Sequence, residues 1–347
     1  MIFTSDNASG THPNVMSALS AANEGYFSSY GADPIMDEVR AQMRDLFEAP
    51  HAEVHLVATG TAANSLILGT LVAPYQTIYA APNSHIQVDE CNAPEFYAGG
   101  AKITMIGDED KIAPPALAEK MAHLSTFGVH GPQHGALSIT QVTEFGQLYT
   151  LDHIKSLCDI AHRYGARTHL DGARFANAIA ALGCSAADMT WKSGIDSVSF
   201  GGTKNGLMGV EACVFFDAEA AASFEFRRKR GAHLFSKHRY LSAQMNAYLT
   251  GDLWHELATH SNAMGARLAA GLAQKSDVKI LNAVEANMIF VSMPRRLHQE
   301  LHAGGAQYYL MHDDVDHGPA DEWITGRLVT SWCTQESDVD RFLALIG

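Results

Sequence analysis

Seven short, nearly continuous apolar runs alternate with helical patterns over most of the chain, and no other feature narrows the fold so far. They predict strands at Val54–Ala58, Thr77–Ala81, Lys102–Ile106, Ala136–Gln141, Ala166–Leu170, Ser197–Phe200 and Ala212–Phe216. Between several of them lie helical stretches, notably Thr61–Leu71, Leu151–Tyr164 and Ala173–Leu182. Strands that are apolar on both faces and alternate with helices form a mainly parallel sheet covered on both sides.

Around this centre the pattern changes. Residues 1–12 are polar and turn-rich, an arm that packs elsewhere. A helix opens at Asp33-Pro34 with Ile35, Met36, Val39, Met43, Leu46 and Phe47 on its apolar face. From about residue 235 long helices take over, Leu241–Leu249 and Trp254–Leu272. A smaller βαβ-like tail follows: Ala286–Ser292, a helix near Pro294–His302, Gln307–Met311, Arg327–Trp332 and a final helix. The expected division is an N-terminal arm over 1–16, a large domain over 17–250 and a small C-terminal α/β domain over 251–347.

With 24 basic against 38 acidic residues the net charge is −14, which argues against a nucleic-acid surface. No apolar run reaches the roughly 18 residues of a membrane span. Five cysteines, Cys91, Cys158, Cys184, Cys213 and Cys333, are widely spaced and suit a reducing compartment. The opening Met1–Asp6 lacks a basic and apolar leader pattern, so the expected location is the cytoplasm. Among 18 histidines, His51 with His55 and His312 with His317 share no repeating carboxylate set, and no metal is expected. The one dense basic run, Arg227-Arg228-Lys229-Arg230, is either a solvated helix end or a local phosphate or subunit contact.

Three motifs carry chemistry. Ser197–Phe200 runs into Gly201-Gly202-Thr203-Lys204-Asn205-Gly206, where two glycines turn the chain sharply and constrain one lysine. Such an amine is either an ordinary surface lysine or a nucleophile able to form a Schiff base. After the first strand, Ala58-Thr59-Gly60-Thr61-Ala62-Ala63-Asn64 turns into a helix whose free N–H groups suit an anion. It lacks the lysine of a P-loop, so nucleotide hydrolysis is disfavoured. His169-Leu170-Asp171-Gly172-Ala173-Arg174 places an aspartate at the carboxyl end of a strand, where open α/β sheets hold ligands. An anion cradle, a carboxylate, a guanidinium and a Schiff-base lysine are together what pyridoxal 5′-phosphate requires.

On these residues the chain resembles the low-specificity L-threonine aldolases, among fold-type-I enzymes that use pyridoxal 5′-phosphate. The resemblance covers nearly the whole chain. It is carried by Ser5-Asp6-Asn7, Tyr30-Gly31, Gly60–Asn64, His85, Asp89-Glu90-Cys91, Asp171–Arg174, Phe200–Gly206 and Arg327-Leu328-Val329-Thr330. It implies an α/β fold of the fold-type-I transferase kind, a large domain on a mostly parallel seven-stranded sheet plus a smaller C-terminal α/β domain. It further implies that Lys204 holds the cofactor, Asp171 meets its ring nitrogen and Arg174 its phenolic oxygen. Gly60 and Thr61 would bind its phosphate and His85 would stack on its ring. Ser5 and Arg327 would hold the substrate carboxylate, with Tyr30 nearby. Lys229 and Lys237 fall where relatives send cations into a neighbouring subunit's site, so a homo-oligomer is expected, a dimer of dimers.

The implied reaction is retro-aldol cleavage of L-threonine, L-allo-threonine and related L-β-hydroxy-α-amino acids to glycine and an aldehyde. Another reaction of the same cofactor, β-elimination or transamination, is the alternative. The group that takes the β-hydroxyl proton is His85, His130 or a water between them, and His134 lies close enough to His130 to exchange registers.

Overall fold

The computed structural model describes residues 1–311 and 314–346; His312, weighed above as a metal ligand, lies outside them. All seven expected strands form: β1 (Glu53–Val57), β2 (Gln76–Ala80), β3 (Lys102–Met105), β4 (Gln133–Thr140), β5 (Arg167–Gly172), β6 (Ser197–Gly201) and β7 (Glu211–Phe215). They make one sheet in the order β1-β7-β6-β5-β4-β2-β3. The run from β3 to β6 is parallel, and β7 is antiparallel to both of its neighbours. Five of these strands, β1, β2, β5, β6 and β7, bury nearly every residue, as strands covered on both faces must.

The helix Gly60–Leu71 follows β1 and is buried from Ala62 through Gly69, so it has no solvent stripe. Gly69 lets it approach its neighbour, because a Cβ there would lie 2.8 Å from the Tyr97 carbonyl oxygen. The helix expected at Asp33-Pro34 spans Pro34–Leu46, with Asp33 Oδ1 accepting from the Met36 N–H at 3.0 Å and Met36, Val39 and Met43 buried.

The C-terminal part departs from expectation. Its four strands, β8 (Lys279–Ile280), β9 (Met288–Pro294), β10 (Tyr309–Leu310) and β11 (Trp323–Val329), lie in the order β10-β11-β9-β8 with every pair antiparallel. The βαβ-like tail is therefore corrected to an antiparallel sheet. Its last strand does not begin at Arg327 but at Trp323. Along β11, Ile324, Gly326 and Leu328 turn inward while Thr325 and Arg327 are partly exposed. A glycine at an inward position hides that alternation in the sequence. A Cβ there would be tight, standing 3.0 and 3.1 Å from the Tyr308 and His298 rings.

Among the described residues four apolar clusters form, and the two largest lie around the large sheet and around the small one. The helix Leu253–Leu272 serves both, placing Trp254 and Leu257 in the first and Met264, Leu268 and Leu272 in the second. The N-terminal arm joins them as well. Phe3 is fully buried in the small core, its N–H donating to the Gln307 carbonyl at 2.8 Å and its carbonyl accepting from the Val329 N–H at 2.9 Å. Further along, the His12 N–H donates to the Gly206 carbonyl at 2.8 Å, so the arm ends against the lysine turn.

Candidate active site

The carboxyl ends of β4, β5 and β6 define one rim of the large sheet. In register across it stand Thr140, Asp171 and Ser199. The strand period of two puts His169 and Asp171 on the same face of β5. Onto that face packs the helix Gly60–Leu71, which brings Asn64 to the rim.

Lys204 sits in a single 3-10 turn, Thr203–Asn205, after β6. Both preceding glycines are obligatory. A Cβ on Gly201 would approach the Ala173 carbonyl oxygen to 2.4 Å, and one on Gly202 would meet the Leu207 side chain at the same distance. The Gly202 N–H donates to Glu211 Oε2 at 2.7 Å, and the Asn205 amide donates to Tyr248 Oη and the Trp254 carbonyl, each at 2.7 Å. The lysine backbone is thereby fixed on both sides. Burial pushes the Glu211 carboxyl up to about 7.

Asp171 is 2 % exposed. Its Oδ2 accepts from Asn64 Nδ2 at 3.0 Å and its Oδ1 from the Ala173 N–H at 3.1 Å. The Asn64 amide also donates to Glu90 Oε1 at 2.9 Å, while its oxygen accepts from Ser199 Oγ at 2.6 Å. Glu90 in turn lies 2.9 Å from His85 Nδ1. That hydrogen bond raises the His85 pKa against burial, with Asp171 and Glu144 adding to it and Lys204 opposing. Burial raises the Glu90 carboxyl. Behind Ser199, His169 is enclosed between Ser138 and Ser199, and burial lowers it to about 4.

Arg174 is buried and turned toward the arm. Its Nε and Nη2 donate to Asp6 Oδ2 and Oδ1 at 2.7 and 2.9 Å. Burial alone would raise the Asp6 carboxyl, but the charges of Arg174 and Lys204 hold it below its usual value. Arg327 donates from Nη2 to the Thr4 carbonyl at 3.3 Å, beside Ser5, and its guanidinium lies 5.5 Å from the Tyr309 ring. Its Nε is buried without an acceptor among the described residues. Ser5 caps the turn Asp6–Ala8, accepting from the Asn7 N–H at 3.2 Å. At the start of the helix Gly60–Leu71, Thr59 caps the Ala62 N–H at 3.2 Å, and a Cβ on Gly60 would meet open space.

The rim thus gathers Lys204, Asp171, His85, Arg174, Arg327, Ser5, Gly60 and Thr61. His130 is not among them. It is exposed in the 3-10 turn Gly128–His130, before β4, whereas the site lies after the carboxyl end of that strand. Eight residues of strand at about 3.3 Å each put the two ends more than 20 Å apart. His134 is no substitute: it lies at the same end, between Tyr79 Oη and Ser125 Oγ at 2.6 and 2.9 Å. Lys229, Lys237 and Tyr30 are exposed, with the Lys229 ammonium 4.9 Å from the Tyr30 ring centre.

Four residues of the site carried no assigned role in the sequence: Asp6, Asn64, Glu90 and Glu144. Asp6, Asn64 and Glu90 lie within the quoted motifs, but nothing in their spacing reports what they touch. Glu144, on the turn after β4, is raised by burial and acts electrostatically on Arg174, Lys204, His85 and Asp171.

These residues fit pyridoxal 5′-phosphate: an amine on a rigid turn, a buried carboxylate for a ring nitrogen, open N–H donors at a helix start, and an unsatisfied guanidinium nitrogen for a second anion. A family model described as beta-eliminating lyase matches residues 3–295. The low-specificity L-threonine aldolase of a Pseudomonas species is 36% identical over 342 residues, covering 99% of this chain and 96% of that one. Its counterpart from Pseudomonas aeruginosa is 36% identical over 339 residues, covering 98% and 94%. The structure of the Leishmania major threonine aldolase superposes with a TM-score of 0.91 at 25% identity, covering 99% of this chain and 98% of that one. The chain belongs to the beta-eliminating lyase family and, within it, to the low-specificity L-threonine aldolases.

Proposed function

We propose that this chain is a pyridoxal 5′-phosphate-dependent aldehyde-lyase that cleaves L-threonine, L-allo-threonine and related L-β-hydroxy-α-amino acids, reversibly, to glycine and an aldehyde. The observation that carries the reading is the convergence on one rim of the Lys204 turn, the buried Asp171 and an Arg327 with an unsatisfied Nε. When bound, the cofactor supplies a Schiff-base carbonyl and a ring that accepts the electron pair of the Cα–Cβ bond.

The protein's own residues do the rest. Lys204 would hold the cofactor through its amine. Asp171 keeps a proton on the ring nitrogen, itself oriented by Asn64 and the Ala173 N–H. Gly60 and Thr61 would offer backbone donors to the phosphate, and His85 would stand against the ring. Arg327, with Ser5, binds the substrate carboxylate, while Arg174 reaches the phenolic oxygen from its seat on Asp6. Lys229 and Lys237, with Tyr30, serve the site of a neighbouring subunit in a homo-oligomer, a dimer of dimers; their exposure in the single chain supports this. Five unpaired cysteines support a cytoplasmic location.

Incubation of purified protein with L-threonine, L-allo-threonine and L-phenylserine, followed by mass spectrometry, tests the reading. Glycine with acetaldehyde or benzaldehyde is expected. The matching family's description keeps β-elimination in view, and release of ammonia and a 2-keto acid from these substrates without glycine would establish that reaction instead.

A further inference from the structure

We propose that Glu90 is the positioning residue that makes His85 the base for the substrate's β-hydroxyl, held in place by an Asn64 amide that it shares with Asp171. The proposal rests on the aldolase reading above.

Hydrogen-bond accounting carries it. Asn64 has one NH₂ and one carbonyl oxygen. The NH₂ faces two carboxylates, Glu90 Oε1 at 2.9 Å and Asp171 Oδ2 at 3.0 Å, and the oxygen faces the Ser199 hydroxyl at 2.6 Å. Flipping the amide would set its oxygen against both carboxylates, so this orientation is fixed. Ser199 spends its proton on Asn64, so His169 Nε2, at 3.3 Å, donates to Ser199, and His169 Nδ1 accepts from Ser138 at 3.0 Å. Every proton from Ser138 to the two carboxylates then has one place.

The same accounting reaches His85. Glu90 Oε1, as a carboxylate oxygen, can only accept, so the imidazole 2.9 Å away donates from Nδ1. The Nε2 lone pair is what remains, and no described residue engages it. Glu90 is fully enclosed while the His85 side chain is 29% exposed, so the carboxylate is at the back and the open nitrogen at the front. The charges facing His85 are Glu90, Asp171 and Glu144, which favour a proton on it, and Lys204, which opposes one.

In the reaction, the β-hydroxyl proton passes to His85 Nε2 and the oxygen becomes the aldehyde carbonyl as the Cα–Cβ bond breaks. The electron pair stays with the Cα fragment, which leaves as glycine after taking up one proton, so atoms and charge balance. Glycine itself has no β-hydroxyl, so exchange of its α-hydrogen does not call on this base. That separates Glu90 from Asp171 although one amide holds both.

The test is Glu90→Gln in the holoenzyme. Cofactor stoichiometry and glycine α-hydrogen exchange in deuterium oxide, followed by proton NMR, should stay within about twofold of wild type, while threonine cleavage falls about tenfold to a hundredfold. Because the carboxylate raises the His85 pKa, the acid limb of kcat/KM should also move to lower pH. Parallel loss of cleavage and exchange, or an unmoved acid limb, would overturn the proposal. Should the variant not fold, nitrogen-15 NMR of histidine-labelled wild-type holoenzyme decides: neutral His85 protonated at Nδ1 is expected, and protonation at Nε2 overturns it. A wild-type enzyme that exchanges glycine but releases no aldehyde from threonine would defeat the aldolase reading and with it the base role of His85, whereas protonation at Nε2 in an active aldolase would defeat the Glu90 proposal alone.

Discussion

Asp6 closes both of its oxygens on the guanidinium of Arg174, at 2.7 and 2.9 Å, and both partners are buried. The arm therefore supplies a counter-charge to a residue of the large sheet's rim, and Asn287 braces the same carboxylate at 3.2 Å from the small sheet's side.

Removing that counter-charge should be felt in stability. Breaking one partner of a buried ion pair leaves an uncompensated charge and costs about 3–5 kcal/mol. Asp6→Asn is therefore expected to lower the urea midpoint by a corresponding amount. A midpoint equal to wild type would show that the arm does not hold Arg174 in solution.

Lys204 is the lysine on the glycine turn, and borohydride reduction of the holoenzyme followed by peptide mapping should place the pyridoxyl group there. Lys204→Ala should lose both the covalent label and aldehyde release. A label on Lys192, which ion-pairs with Glu48 at 2.7 Å on the surface, would move the site.

Arg327→Lys replaces a planar fork by a point charge. Losing one charge-assisted bond to a carboxylate costs about 1.5–3 kcal/mol, so KM for threonine should rise about tenfold to a hundredfold while the cofactor stays bound. An unchanged KM would exclude Arg327 as the carboxylate clamp.

Glu211 gives a pH dependence with a definite sign. Its folded pKa, about 7, lies above the ordinary 4.5, so the folded state binds the proton more tightly than the unfolded chain. The stability from this group is complete below about pH 4.5 and is lost as pH rises through 7. Glu211→Gln should remove that loss, gaining up to about 3 kcal/mol above neutrality at about 1.4 kcal/mol per unit. Thermal midpoints of the two proteins from pH 5 to 8 should converge at the acid end and separate at the alkaline end; constant separation would refute the assignment.

The strands were legible because burial on both faces forces unbroken apolar runs; Asp171 was legible because it directly follows such a run, and Lys204 because a glycine turn joins it to one. His85 and His130 show the limit of that reasoning. Both lie near strands, but one follows β2 and the other precedes β4, and only the carboxyl ends meet at the rim. The pairing of Asn64 with Asp171 spans 107 positions and that of Asp6 with Arg174 spans 168, so local periodicity holds no trace of either. The antiparallel small sheet was hidden for a different reason: Gly326 interrupts the inward face of β11, and β8 is only two residues long.

The seat of Phe3 between Gln307 and Val329 also sets an order of assembly. The large sheet is complete in sequence once β7 has been synthesised, but Phe3 has nowhere to dock until β11 follows. At about 5–20 residues per second, the first segment made waits tens of seconds for the last strand. Until then Asp6 is not delivered to Arg174, and the lysine turn lacks its covering arm. The large core also takes Met288, Phe290 and Val329 from the C-terminal part, so the core and the catalytic rim are both finished only when translation is nearly over. A nascent chain stalled before β11 therefore holds the seven strands of the large sheet but no seat for its own first segment.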